Sequence, residues 1–139
     1  MSETTTTVDV SAEEAERAVR LAEKTFGEAD IEGMLSCFTD DCVVRFAEQP
    51  DINGKAELER FLRARMARQQ GYRLRKTLRA YRGNVVGVEW HGAWTDAQTG
   101  REMEGKGLEF WTMEGGRVAV WDACFNVWEK DGPRVSPIA

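Results

Sequence analysis

Past Gly71 the chain stops repeating every three to four residues and starts to alternate. Segments 72–82, 84–95, 101–113 and 117–128 run apolar against polar, with Gly83-Asn84, Asp96–Gly100 and Gly115-Gly116 between them. Alternation sends successive side chains to opposite faces, and loops this short join only antiparallel neighbours. The four segments therefore predict an antiparallel meander. What precedes Gly71 is mostly helical in spacing, and helices followed by a run of strands make an α+β fold.

Ser11 and Glu14 form a capping box ahead of Ala15, Ala18, Val19, Ala22 and Phe26, which predicts a helix over about 12–28. Asp30 caps a short second helix with Ile31, Met34, Leu35 and Phe38 on one side. Asp40-Asp41 breaks it, residues 42–46 read as a first strand, and Glu48 to Gly54 reads as a loop. A third helix over 55–70 carries Leu58, Phe61, Leu62 and Met66, with Gly71 as its left-handed C-terminal residue. Three N-terminal helices thus pack on a sheet that can curl around them into a cone with an open, pocket-forming end. The chain of 139 residues suits one domain, spanning 11–129. The Thr-rich segment 1–10 reads as a disordered arm, and 130–139, with Pro133 and Pro137, as a loose tail.

Composition removes several functions. Nineteen Lys and Arg against 24 Asp and Glu leave a net charge of −5, which argues against nucleic acid or an anionic membrane as partner. The basic residues between Arg60 and Arg82 are interleaved with Glu, Leu and Phe and read as solvated faces. No apolar run approaches the roughly 20 residues of a membrane span. The N-terminus lacks the basic start and apolar stretch of a signal peptide. Cys37, Cys42 and Cys124 have no CxxC spacing and suit free thiols in a cytoplasmic protein. His91 is the single histidine, so a His-rich metal site is impossible, and neither metal nor cofactor is expected. Phosphate loops, dinucleotide fingerprints and the GxSxG nucleophile elbow are missing from the sequence.

Strand pairing narrows the candidate chemistry. With Asp96–Gly100 as the loop and Thr95 opposite Arg101, His91 faces Gly105 and Glu89 faces Gly107. Glu89, His91, Glu109 and Trp111 then share one face, and the two glycines leave a hollow beside the first two. The second hairpin has two registers. A two-residue turn at Gly115-Gly116 sets Glu109 opposite Asp122, with Cys124 and Asn126 on the polar face. A three-residue turn sets it opposite Trp121, with Ala123 and Phe125 alongside. One register gives a carboxylate cluster, the other a carboxylate among aromatics, and both settings favour proton exchange near neutral pH. The bland reading of the same face is a wet sheet surface, with His91 structural and Asp122 in a surface ion pair. Cys124 reads as an inert buried thiol, and Arg45 as either an exposed charge or a partner for Glu109. The five tryptophans, 90, 94, 111, 121 and 128, lie in the last third and read as core, dimer face or pocket wall.

The segments from Asp30 through Phe38-Thr-Asp-Asp-Cys to Val44, Gly54 to Leu62, Tyr72 to Lys76, Glu109-Phe-Trp and Gly116 to Asp122 carry a resemblance. Over about 12–129 the sequence resembles the nuclear transport factor 2-like superfamily, in its SnoaL-like branch related to polyketide cyclases and ketosteroid isomerase. The resemblance implies a cystatin-like α+β barrel with a strongly curved, mostly antiparallel sheet, a conical pocket and a homodimer. It also implies isomerase, cyclase, dehydratase or hydrolase chemistry on small apolar molecules without a cofactor. The position of ketosteroid isomerase's basic aspartate falls near Phe46, so isomerisation by that constellation is not expected. The family's oxyanion-donating acid falls close to Glu109, and Asp122 matches the Trp-Asp ending.

The expectation is a small acid–base enzyme acting on an apolar metabolite. Glu109 divides acid and base roles with Asp122 or Glu89, and His91 orients or shuttles protons. Arg45 and Tyr72 act as anion or oxyanion partners. Trp90, Trp111, Trp121, Phe125 and Asn126 complete the substrate site. An acid–Arg–acid arrangement activating water on an epoxide is one variant. The competing reading is a non-catalytic ligand-binding or dimerisation module of the same fold.

Overall fold

The computed structural model describes residues 8–133, and its elements run α1 (Ala12–Gly27), α2 (Ile31–Ser36), β1 (Phe38–Phe46), β2 (Ile52–Asn53), α3 (Gly54–Arg68), β3 (Gln69–Arg82), β4 (Val85–Asp96), β5 (Glu102–Glu114) and β6 (Arg117–Glu129). The expected arm and tail fall largely on residues 1–7 and 134–139, outside those described. Val10, assigned to the arm, is buried, and its N–H donates to the Gly83 carbonyl at 2.8 Å.

The local signals behave as their chemistry dictates. Ser11 Oγ accepts from the Glu14 N–H at 3.1 Å and opens α1, and Asp30 accepts from the Gly33 N–H at 3.0 Å to open α2. Each such cap stabilises by about 1 kcal/mol. The sheet order is β2-β1-β6-β5-β4-β3. Strands β3 to β6 form the antiparallel meander, while β1 lies parallel to β6, so the sheet is mixed and open at its β2 and β3 edges. Helix α1 packs against β3 and α3 against β1. Val19, Met34, Leu58, Leu62, Val44 and Val86 are fully buried between the helices and one face of this sheet.

Four details depart from the expectations. Phe38 is the first residue of β1, not a helical side chain, because its ring packs on Trp121 at 5.6 Å and the Cys37 carbonyl accepts from Val118. Residues Ile52 and Asn53, expected in a loop, pair with β1. Gly71 does not end α3; it sits inside β3 at φ +63° within a bulge between Gln70 and Arg73. The β4–β5 loop is one residue shorter than expected, since Asp96 and Arg101 bond across it (Asp96 N–H to Arg101 carbonyl, 2.8 Å) and Thr95 pairs with Glu102.

Candidate active site

That one-residue change decides which side chains meet. Trp90, Gly107 and Phe125 form one row across β4, β5 and β6; Val88, Glu109 and Ala123 form the next; Val86, Trp111 and Trp121 the third. These rows face the helices. Gly105 and Gly107 make room for an indole: a Cβ on Gly107 would lie 2.5 Å from Trp90 Nε1 and one on Gly105 2.8 Å from Trp90 Cη2. The expected hollow beside Glu89 and His91 is thus a slot for Trp90 on the opposite face.

The second hairpin combines features of both expected registers. Gly115 and Gly116, at φ +56° and +80°, form a two-residue turn that only glycine adopts cheaply at both positions. Glu114 pairs with Arg117 across it. Ala119 is then an extra residue: Met113 pairs with Val118 but Thr112 with Val120. This bulge reverses the parity of the rest of β6. Trp121, Ala123 and Phe125 therefore join Glu109, and Asp122 turns away.

Glu109 is 2% exposed and stands among aromatic rings. Trp111 Nε1–H donates to its Oε1 at 3.1 Å, Trp121 Nε1–H to its Oε2 at 3.0 Å, and Lys76 Nζ lies 2.5 Å from Oε1. Lys76 comes from β3, where Tyr72, Leu74 and Lys76 alternate inward. Its main chain is clamped by α1: Arg20 Nη2 donates to the Lys76 carbonyl, and the Lys76 N–H donates to Glu23 Oε2 at 2.7 Å. Those bonds also satisfy part of the free edge of β3. The ammonium sits 5.5 Å from the Trp111 ring centre and 5.9 Å from that of Phe26. Burial pushes the Lys76 pKa down, and the Glu109 carboxylate opposes that shift.

The pair borders a cavity of about 150 Å³ whose apolar walls include Phe46, Phe61, Trp90, Trp94, Trp121 and Phe125. A closed apolar cavity of about 150 Å³ is large enough for a benzene ring. Across the cavity from α3, Arg65 Nη2 donates to the Tyr72 hydroxyl at 3.2 Å and Arg65 Nε to Gln69 Oε1 at 2.9 Å. Burial raises the Tyr72 pKa, with Arg65 opposing, so its phenol stays protonated and able to donate. Arg65, Gln69, Phe61, Trp94 and Val127 continue into a wider mouth of about 410 Å³. A second cleft, about 40 Å³, reaches Lys76 and Glu109 from the α1–α2 side past Leu21, Cys37 and Val118.

Of the residues singled out in the sequence, the structure brings Glu109, Tyr72, Trp90, Trp121 and Phe125 to the cavity. Trp111 joins through its bond to Glu109 and lines the second cleft. Glu89 and His91 are on the other face of the sheet, because Glu89 pairs with Leu108 and His91 with Lys106 rather than with the glycines. Glu89 there gathers His91 Nε2 at 3.0 Å, Arg79 at 2.7 Å and Lys106 at 3.6 Å, and the first two bonds hold its carboxyl down at about 2. Asp122, Cys124 and Asn126 face that same outer side, and Cys124 is exposed, not buried. Arg45 is exposed and paired with Asp51 at 3.6 Å, away from Glu109. Glu109 is the one carboxylate lining the cavity among the described residues, so an acid–Arg–acid arrangement is not assembled there. Among the described residues no cluster of three or more His, Cys, Asp and Glu has metal-binding proximity, and no helix is long and apolar enough to cross a membrane.

Sequence reasoning missed Lys76 and Arg65. The signals were present: Lys76 continues the inward alternation of Tyr72 and Leu74, and Arg65 lies one turn beyond Phe61 on the stripe of α3.

Comparison with known proteins agrees with this architecture. No curated protein matches the chain in sequence. An epoxide hydrolase of the LEH-like type from M. tuberculosis superposes with a TM-score of 0.66 at 19% identity, covering 81% of this chain and 83% of that one. SalBIII, an epoxide hydrolase/cyclase-like enzyme in pyran ring formation in the polyether salinomycin, gives 0.73 at 13% identity over 84% of this chain and 97% of its own. An NTF2-like protein of unknown function from Burkholderia pseudomallei gives 0.70 at 20% identity over 79% and 88%. The chain has the nuclear transport factor 2-like fold shared by SnoaL-like polyketide cyclases and ketosteroid isomerase-like proteins. A family model, "Protein of unknown function (DUF1348)", matches residues 9–130.

Proposed function

The chain belongs to the DUF1348 family, described as of unknown function, and on that premise we propose that it is a small enzyme moving protons on a ring-sized, largely apolar metabolite that carries a carbonyl oxygen. The observation that carries this reading is Glu109. A carboxylate 2% exposed, with both oxygens fixed by two indole N–H groups and an ammonium, borders a cavity of about 150 Å³. Water competes poorly for such a group, and its orientation is set before substrate arrives.

The roles follow from position. Glu109 takes or returns a proton at the carbon beside the carbonyl, and Lys76 offsets the charge as it changes. The Arg65–Tyr72 pair, on the other side of the cavity, donates to the substrate oxygen. Trp90, Trp121 and Phe125 bury its ring. These groups belong to the chain itself, so the reaction as proposed requires neither metal nor cofactor. Structural neighbours that are isomerases, cyclases and epoxide hydrolases support a small-enzyme reading. The outer cluster of Glu89, His91 and Asp122 has no part in this chemistry. That face serves instead as a homodimer surface: Leu108 and Phe110 are 56% and 60% exposed on it between opposite charges, a pattern able to complement itself about a two-fold axis.

The test is deuterium exchange at the α-carbons of cyclohexanone in D₂O, followed by NMR. The wild-type protein speeds exchange above buffer, and Glu109→Gln lowers that gain by about 10²- to 10⁴-fold, the usual worth of a positioned base. Exchange no faster than buffer, or a folded Glu109→Gln protein as fast as wild type, overturns the reading.

A further inference from the structure

We propose that Lys76 is a covalent centre: its Nζ condenses with an aldehyde or ketone of benzene-ring size to give an imine, with Glu109 as the proton carrier. This rests on the acid–base reading of the same cavity and specifies its substrate class as carbonyl compounds. It assigns Lys76 a bond to carbon, where the reading above needs only a charge.

Three observations converge on it. Lys76 is nine-tenths or more buried at 5% exposed, and it lines the aromatic cavity rather than pointing to solvent. A carboxylate oxygen stands 2.5 Å from its nitrogen, close enough to accept the ammonium proton and hold it for the next step. The strand segment that carries Lys76 is fixed from behind by Arg20 and Glu23, so the nitrogen is presented at a set depth. A charge-neutralising lysine at a surface would need none of these. Burial also makes the ammonium easier to deprotonate than a solvated one.

The steps balance without any oxidant or co-reactant. The ammonium gives its proton to Glu109, and the freed lone pair forms an N–C bond at the carbonyl carbon. The C=O electrons move to oxygen, which takes a proton from the nitrogen to give a carbinolamine. Glu109 then returns its proton to the hydroxyl, water leaves, and the C=N bond forms. Net, ammonium plus carbonyl becomes iminium plus water. Lys76 and Glu109 are neutral together while the proton rests on Glu109 and charged together before and after, so no buried charge is left without its partner. The iminium draws electrons from the adjacent carbon, whose proton the emptied Glu109 carboxylate can take.

The experiment is reductive trapping. Full-length protein is incubated with benzaldehyde and sodium cyanoborohydride, and peptides are mapped by mass spectrometry. Lys24, Lys106 and Lys130 are exposed and Lys55 half-buried, so they serve as internal controls. The expected result is one benzyl group per chain on Lys76 at benzaldehyde concentrations that leave the other four below one-tenth modified. Lys76→Arg abolishes that adduct, and Glu109→Gln, which keeps the amine, slows it at least tenfold. Labelling confined to the exposed lysines in wild-type protein overturns the proposal. Loss of cyclohexanone exchange in Glu109→Gln without any Lys76 adduct removes the imine and leaves the acid–base reading standing. An adduct without enzyme-driven exchange does the reverse.

Discussion

At the scale of single residues, the weight falls on two side chains buried together. Removing one member of a buried ion pair strands the other, at a cost of about 3–5 kcal/mol, whereas removing both is often nearly neutral. Lys76→Met should therefore destabilise the protein by about 3–5 kcal/mol in urea unfolding, because Glu109 is left buried in an aromatic cage without its ammonium partner. Adding Glu109→Gln, which removes the charge and keeps an acceptor oxygen for one of the two indole N–H groups, should recover part of that loss. A double variant as unstable as the single one would show the two groups to be uncoupled. Glu109 was legible in the sequence as an acid on a strand face beside Trp111. Lys76 was passed over, because a lysine on an alternating strand ordinarily points to water. Its parity with Tyr72 and Leu74 sets it inward, and the bonds of Arg20 and Glu23 to its backbone hold that segment in place.

At the scale of elements, the β4–β5 turn shows how a distant contact overrides a local pattern. Asp96 is drawn into β4 by Arg68 at the end of α3, whose Nε donates at 2.6 Å, and by Thr99 Oγ1 at 2.7 Å. The Arg68 hydrogen bond above all holds the Asp96 carboxyl down at about 2. A carboxylate with a folded pKa below its unfolded value, about 3.9, stabilises above that value and loses the contribution as pH falls towards the folded pKa. Wild type should exceed Asp96→Asn in urea stability at neutral pH, with the gap narrowing between about pH 4 and pH 2. A gap constant through that window would separate the turn from this titration. The meander, the caps of α1 and α2 and the four strand cores were readable from period and turn residues. Register was not. A loop one residue shorter at Asp96 and one bulge at Ala119 each reverse side-chain parity, and neither leaves a mark in the hydrophobic pattern. Glu89, His91 and Asp122 were lost from the candidate site for that reason alone.

At the scale of the whole molecule, the sheet has one occupied face and one that meets solvent. The occupied face holds the cavity; the other displays Leu108 and Phe110. Under the proposed pairing of two chains, sedimentation equilibrium of the wild type gives twice the 15.7 kDa chain mass, and Leu108→Glu with Phe110→Glu gives a monomer. A wild-type protein of single-chain mass at high micromolar concentration would refute the pairing.

The parallel seam between β1 and β6 has a consequence in time. Every other strand contact joins neighbours in the sequence, but Arg45 must find Asp122 near the opposite end of the chain. Pairings this distant pay their loop-closure entropy before any contact repays it, and they come late in folding. Phe46 and Trp121 are brought edge to face at 4.8 Å by that seam. On a ribosome, the cavity therefore cannot close until the final strand has emerged. Until then Glu109 stands on a half-built wall, without the Trp121 indole that bonds its Oε2 or the Phe125 ring that lines the cavity.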